Sequence, residues 1–262
     1  MSKRHYSQLT RKKTNTSIGS NDYTHSQPST SNCNGIPSKS LSQHSVVSEE
    51  QSQLTNKLLR YLLMLSNGKQ VVTKARIVKN VLDNQGRYFH PVMVKVKNIL
   101  SQIFGIQLVE LEGNKYILVN EIENRLPHIE SSASEKSQQV LLFLVLTHIF
   151  MHEQLCTEGS LSNFLGNLGI DLDRNYHPYF GDVKHLVSEV FVAQKYLDKI
   201  TLEKDSGTKI EYKWGPRAET FSRRAAFEFV SKVYNGRPLK SWALQYNILT
   251  AHESSNQTER DD

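Results

Sequence analysis

The sequence predicts an α+β fold in which one small unit, a set of helices closed by a β-hairpin, is built twice. Three observations predict it. Apolar residues recur at helical spacing from Leu54 to Phe104 and again from Val140 to Val192. Each helical stretch runs into alternating extended sequence with a turn in its middle, Ile106 to Val119 in the first unit and Tyr196 to Trp214 in the second. Between the two lies an aperiodic run rich in Glu, Ser and Pro, from about Glu121 to Ser134.

In chain order, residues 1–50 are rich in Ser, Thr, Asn and Gln and offer too little apolar surface to offset their ordering entropy, so a disordered leader is expected. Helical spacing begins after Glu49. Leu54, Leu58, Leu59, Leu62, Leu63 and Leu65 make a wide apolar stripe that Asn67-Gly68 stops. Val71-Val72 is a short extended piece, and Thr73 caps a helix carrying Ile77, Val78, Val81 and Leu82. A third helix carries Val92, Val96, Leu100 and Phe104 and ends at Gly105, before the hairpin that turns at Glu112-Gly113-Asn114-Lys115. Helix, short strand, helix, helix, hairpin is the order of a winged helix.

The order repeats without any residue-level repeat. A helix apolar on nearly all sides, Glu135 to His152, precedes a shorter one around Leu161 and Leu165. A Gly-, Asn- and Tyr-rich connection leads to a helix with Val183, Val187 and Phe191. In the closing hairpin Ile210, Tyr212 and Trp214 share one face, and Gly215-Pro216 is expected to end that strand and open a helix. Phe221, Ala225, Phe229 and Val233 then predict the buried side of a helix, Leu239 to Leu249 a short last one, and 251–262 an unstructured acidic tail. The expected boundaries are 1–50 leader, 51–122 first winged helix, 123–134 linker, 135–250 second winged helix with added helices, and 251–262 tail.

The net charge of +6 is uneven: residues 51–126 hold eleven basic against five acidic residues, whereas 127–250 balance at fourteen each. The first unit therefore suits an acidic partner such as nucleic acid. Two cysteines, Cys33 and Cys156, imply no disulfide framework, and the N-terminus lacks an apolar signal segment. The longest apolar run, through Met151, is about half the roughly 20 residues a bilayer requires, so no membrane partner is expected.

The passage Tyr212-Lys213-Trp214-Gly215-Pro216-Arg217-Ala218 resembles a signature of the melanoma-antigen (MAGE) homology domain. Three further blocks match that family in order and spacing: Tyr61-Leu62-Leu63-Met64 with Val72-Thr73-Lys74-Ala75, Phe104-Gly105-Ile106 with Tyr116-Ile117-Leu118-Val119, and Gln194-Lys195-Tyr196-Leu197. The resemblance covers Leu54 to Leu249. It implies tandem winged helices that bind a RING-type ubiquitin ligase. In the family's widespread chromosomal member it also implies a kleisin subunit and SMC proteins of the SMC five/six complex, with a nuclear, chromatin-associated place in DNA repair. Alternatives are a free ligase cofactor that selects substrates for ubiquitination, and a winged-helix transcription factor.

The resemblance puts the RING contact on Leu62 and Leu63, with Leu58 and Leu59 on the same stripe, against the plainer reading that all four are core. Winged-helix geometry offers Lys95, Lys97 and Lys115 of the first unit, and Lys184, Lys209, Lys213, Arg223 and Arg224 of the second, to duplex phosphates without sequence preference. Phe221, Phe229 and Trp242 are candidates for a groove that seats a kleisin helix. His148, His152 and Cys156 have metal-compatible spacing but no evident fourth ligand. Neither a phosphate loop nor a nucleophile elbow is present in the sequence, so no cofactor and no enzymatic activity are expected.

Overall fold

The structure is a computed structural model that describes residues 39–121, 132–173, 176–204 and 207–261. Most of the expected leader and of the linker lies outside these residues. By its contacts the chain divides into Met1–Ser42, of which the described part is the opening of one helix, and Gln43–Asp262, the body treated below.

The first module opens with α1 (Lys39–Ser66), which starts ahead of the apolar stripe because no Gly or Pro interrupts the sequence there. β1 (Val72–Thr73) leads into α2 (Lys74–Asn80), where the Thr73 hydroxyl accepts from the Arg76 amide at 3.2 Å and supplies the cap. α3 (Phe89–Phe104) is closed by Gly105 at φ 59°, a left-handed position that favours glycine. β2 (Ile106–Leu111) and β3 (Lys115–Asn120) pair with Leu108 opposite Leu118, and β1 adds to β3, giving the order β1-β3-β2. Leu58, Leu62, Ile77, Val92, Val96 and Leu100 are fully buried between helices and wing, each contributing about 1.5–3 kcal/mol of burial free energy.

The second module repeats this plan. α4 (Ala133–Met151) begins in a reciprocal cap between Ser132 and Glu135 and is mostly buried from Leu141 to Phe150. β4 (Leu155–Thr157) and α5 (Glu158–Asn167) follow. Next come α6 (Val183–His185), a π-helical turn and α7 (Phe191–Ala193). The wing is β5 (Leu197–Lys204) with β6 (Gly207–Trp214), and the sheet order β4-β6-β5 reproduces that of the first module. The duplication inferred from element order is therefore present in the strand pairing. β4 had no counterpart in the sequence reading, since three residues carry no usable alternation.

Three local expectations need correction. No α-helix opens at Pro216; a turn and a short 3₁₀ segment (Ala218–Thr220) intervene, and α8 (Arg223–Val233) starts where the Ser222 hydroxyl accepts from the Ala225 amide at 3.1 Å. The buried side of α8 is Arg223, Ala226, Phe227 and Val230, because the later start turns Phe227 onto Phe150 and Trp242 at ring separations of 5.6 and 5.7 Å. The last helix, α9 (Ala243–Asp261), continues beyond Leu249 through what was expected to be unstructured tail. That stretch has no Gly or Pro, and Arg224 holds Glu253 through two hydrogen bonds of 2.7 and 2.8 Å.

The join between modules is made by the stretch after Trp214. The Trp214 indole donates to the Leu146 carbonyl at 2.9 Å. A Cβ at Gly215 would lie 2.5 Å from the Lys195 carbonyl oxygen, so only glycine fits there. The next turn delivers Arg217, which is 6% exposed, toward the first module.

Candidate functional site

A groove of about 500 Å³ opens on the second module, between α4, α5 and α8. Phe164 comes from α5 and Leu168 from the position that caps its end, Phe229 and Val233 from α8, and Trp242 from the segment before α9. Apolar side chains stand open here: Val233 is 62% exposed and Leu168 51%. Phe143 meets Phe229 edge to face at 5.3 Å, and Trp242 meets Tyr234 at 5.8 Å, so the rings are held in place before any ligand arrives. Among the described residues that line the groove there is no Asp, Glu, Lys or Arg.

Its polar floor is made by His148, whose ring stacks on Phe164 at 4.3 Å and whose Nε2 lies 3.2 Å from the Ser160 hydroxyl. Burial, with a smaller contribution from His152, pushes the His148 pKa down to about 4, so the ring is neutral near pH 7. The groove thus offers an uncharged, aromatic-rich slot with a few hydrogen-bonding groups, suited to the apolar face of a helix.

Of the three kleisin candidates, Phe229 and Trp242 come together in this groove. Phe221 is not among the groove's lining residues and packs edge to face on Tyr196 at 5.8 Å.

The four leucines of α1 separate by one turn of helix phase. Leu58 and Leu62 are fully buried and have no surface to give a partner; Leu59 and Leu63, four apart on one face, are half-buried. Next to Leu63, Met64 is 80% exposed.

The basic candidates also divide. Lys95 and Lys115 are exposed, the latter on the wing. Lys97 lies 3.9 Å from Glu110, Lys184 3.5 Å from Asp173, Lys209 2.6 Å from Glu211 and Lys213 4.0 Å from Asp198. Arg224 is taken up by Glu253. Arg223 is not a surface cation: it is buried, grips both Glu219 oxygens at 2.7 and 2.9 Å and sits 4.5 Å over the Trp214 ring. Its place in the sequence as one of two adjacent arginines concealed that difference.

Cys156 lies in β4, paired with Tyr212, and burial drives its thiol up to about 12. Among the described residues no group of three His, Cys, Asp or Glu is arranged to hold a metal ion, and no helix is long and apolar enough to cross a membrane.

Arg217 is the functional residue that sequence reasoning missed. Its Nε donates to the Gln194 carbonyl at 2.7 Å, within its own module. One terminal nitrogen donates to the Leu118 carbonyl and the other to the Lys69 carbonyl at 3.1 Å, both in the first module. The signal was its place in the Trp-Gly-Pro-Arg passage, read there only as the start of a helix.

Two sheets of identical strand order, a buried arginine joining their modules and an open uncharged groove define a tandem winged-helix protein. The sequence profile of the MAGE homology domain matches residues 58–220. The non-structural maintenance of chromosomes element 3 homolog of Mus musculus is 34% identical over 244 residues, which are 87% of this chain and 85% of that protein. Its Homo sapiens counterpart is 34% identical over 218 residues, 79% of this chain and 69% of that protein. A chain of a solved Nse1-Nse3-Nse4 complex superposes with a TM-score of 0.69 at 30% identity, covering 77% of this chain and 98% of that one. The chain belongs to the MAGE homology domain family.

Proposed function

We propose that this protein is a non-catalytic subunit of the SMC five/six chromosome-maintenance complex, located on chromatin in the nucleus and acting in DNA repair. In this reading the first module binds and stimulates a RING-type ubiquitin ligase subunit through Leu59 and Leu63, with Leu58 and Leu62 fixing the helix beneath them. The groove of the second module seats a kleisin segment against Phe229 and Trp242. Duplex DNA is met without sequence preference by exposed lysines, foremost Lys95 and Lys115. Any ligase chemistry belongs to the partner.

The observation that carries the reading is the likeness to the solved Nse1-Nse3-Nse4 complex over nearly the whole of its matching chain, at 30% identity. The uncharged groove supports it, since such a slot suits an apolar helix and ill suits nucleic acid.

The test is reconstitution. The purified chain mixed with a RING-type subunit and a kleisin subunit of an SMC five/six complex is expected to elute from a sizing column as one species of equal stoichiometry. Elution of three separate species contradicts the reading. Binding to the RING subunit alone favours the free ligase cofactor, and tight binding to one DNA sequence over random duplex favours the transcription factor.

A further inference from the structure

Between the two modules, where Arg217 crosses, lies a second and smaller cavity of about 150 Å³ lined by Ser66, Lys69, Asn120, Tyr196, Arg217 and Thr220. None of its lining residues is among those assigned above to the RING, kleisin or DNA contacts.

Its chemistry is one-sided. A guanidinium carries five N–H donors. Arg217 spends three of its donors on the carbonyls of Gln194, Leu118 and Lys69, which leaves two over. The Lys69 ammonium stands 5.5 Å from the Tyr196 ring centroid and, among the described residues, has neither a hydrogen bond nor an ion pair. The Ser66 and Thr220 hydroxyls are already turned onto backbone carbonyls, of Leu63 and Arg217, at 2.7 and 2.8 Å. Two cations therefore share a small space whose lining, completed by Leu118 and Val119, contains no carboxylate.

That arrangement is costly as it stands. Burial, and to a lesser degree the Arg217 charge, hold the Lys69 ammonium below its ordinary pKa, while Glu135 acts in the opposite direction from outside the cavity lining. Burial likewise lowers the pKa of Arg217. Like charges in a confined space are relieved by an anion between them.

We propose that this cavity is a binding site for a single phosphate-type oxyanion, held by the Lys69 ammonium and the remaining Arg217 N–H groups, whose occupancy stiffens the join between the modules. The size favours such an ion. A tetrahedral oxyanion with a few waters fits a space of about 150 Å³. The planar arginine fork and the compact ammonium are complementary donors for phosphate oxygens. Arg217 already bridges the modules, so an anion that also engages Lys69 adds a second link across the same seam.

Thermal unfolding of the full chain in inorganic phosphate, against sodium chloride of equal ionic strength, tests this. Phosphate strengthens folding generally through exclusion from protein surface, so the quantity read is the increment that depends on Lys69. For the wild type the increment is expected to saturate, reaching about a tenfold gain in the folding constant at roughly ten times the dissociation constant. Lys69→Met is expected to lose the saturable part, and Lys199→Met, which removes an exposed lysine of β5, to keep it. Titration calorimetry of the wild type with phosphate should give one saturable site. Equal increments in wild type and Lys69→Met, equal losses in both variants, or no saturable heat would overturn the proposal.

Discussion

The Arg217 guanidinium donates to the Lys69 carbonyl at 3.1 Å across 148 residues of sequence, tying the end of the second wing to the turn after α1. Its charge is met by backbone carbonyls of both modules rather than by a carboxylate, so the bond reads the relative position of two backbones. Arg217→Met strands those carbonyls. The expected loss is on the order of 2–4 kcal/mol, with a single urea transition giving way to two as the modules uncouple. One unchanged transition contradicts the role assigned to this residue.

The α1 leucines separate stability from binding. Leu62→Ala opens a cavity in the first core and should cost about 2–5 kcal/mol in denaturant melts. Leu59→Asp combined with Leu63→Asp touches a half-buried face and should abolish co-purification of a RING-type partner while helical circular dichroism is retained. Retained co-purification of that double variant would move the RING contact elsewhere.

For the groove, Val233→Glu places a carboxylate on an open apolar wall without touching the core. Kleisin affinity should fall tenfold or more, on the order of 2 kcal/mol, in fluorescence anisotropy. Because the described lining is uncharged, wild-type affinity should change little with added salt.

DNA binding should respond in the opposite way to salt. Lys95→Glu with Lys115→Glu is expected to weaken duplex binding equally for all sequences and to reduce the slope of log affinity against log salt by about two. Arg223→Glu should instead unfold the second module, since it sets a carboxylate beside Glu219 against the buried Trp214 face. Preserved folding of that variant would contradict the assignment of Arg223 to the core.

His148 gives a pH signature. Its folded pKa, about 4, lies below the 6.5 of an unfolded chain, so the folded state favours the neutral ring. The stability this contributes is fully present above pH 6.5 and is lost as pH falls from there toward 4. The loss amounts to at most about 3 kcal/mol. Melting temperature should drop between pH 7 and 5 in the wild type and drop less in His148→Gln, which keeps a polar group near Ser160.

Much of this fold was legible in the sequence because the apolar periods are long. The α3 pattern from Val92 to Leu100, its glycine stop and the extended runs of both hairpins were read from it, though not the pairing between strands. Short or context-dependent features were not. The strand that holds Cys156 went unread because three residues carry no pattern. Arg223 and Arg224 are neighbours in sequence and opposites in space, one under Trp214 and one on the surface, which only the phase of α8 decides. Half of the leucine stripe was core and half was not, for the same reason of helical phase. Arg217 was visible as part of a family passage, but its role depends on carbonyls from distant sequence and no local rule could supply them.

The most direct test is affinity purification of the full-length tagged protein from cells, followed by mass spectrometry and a DNase-treated control. Membership of the chromosome-maintenance complex predicts SMC subunits, a kleisin and a RING-type subunit recovered together whether or not DNA is digested. A RING ligase recovered without any SMC or kleisin protein would contradict it.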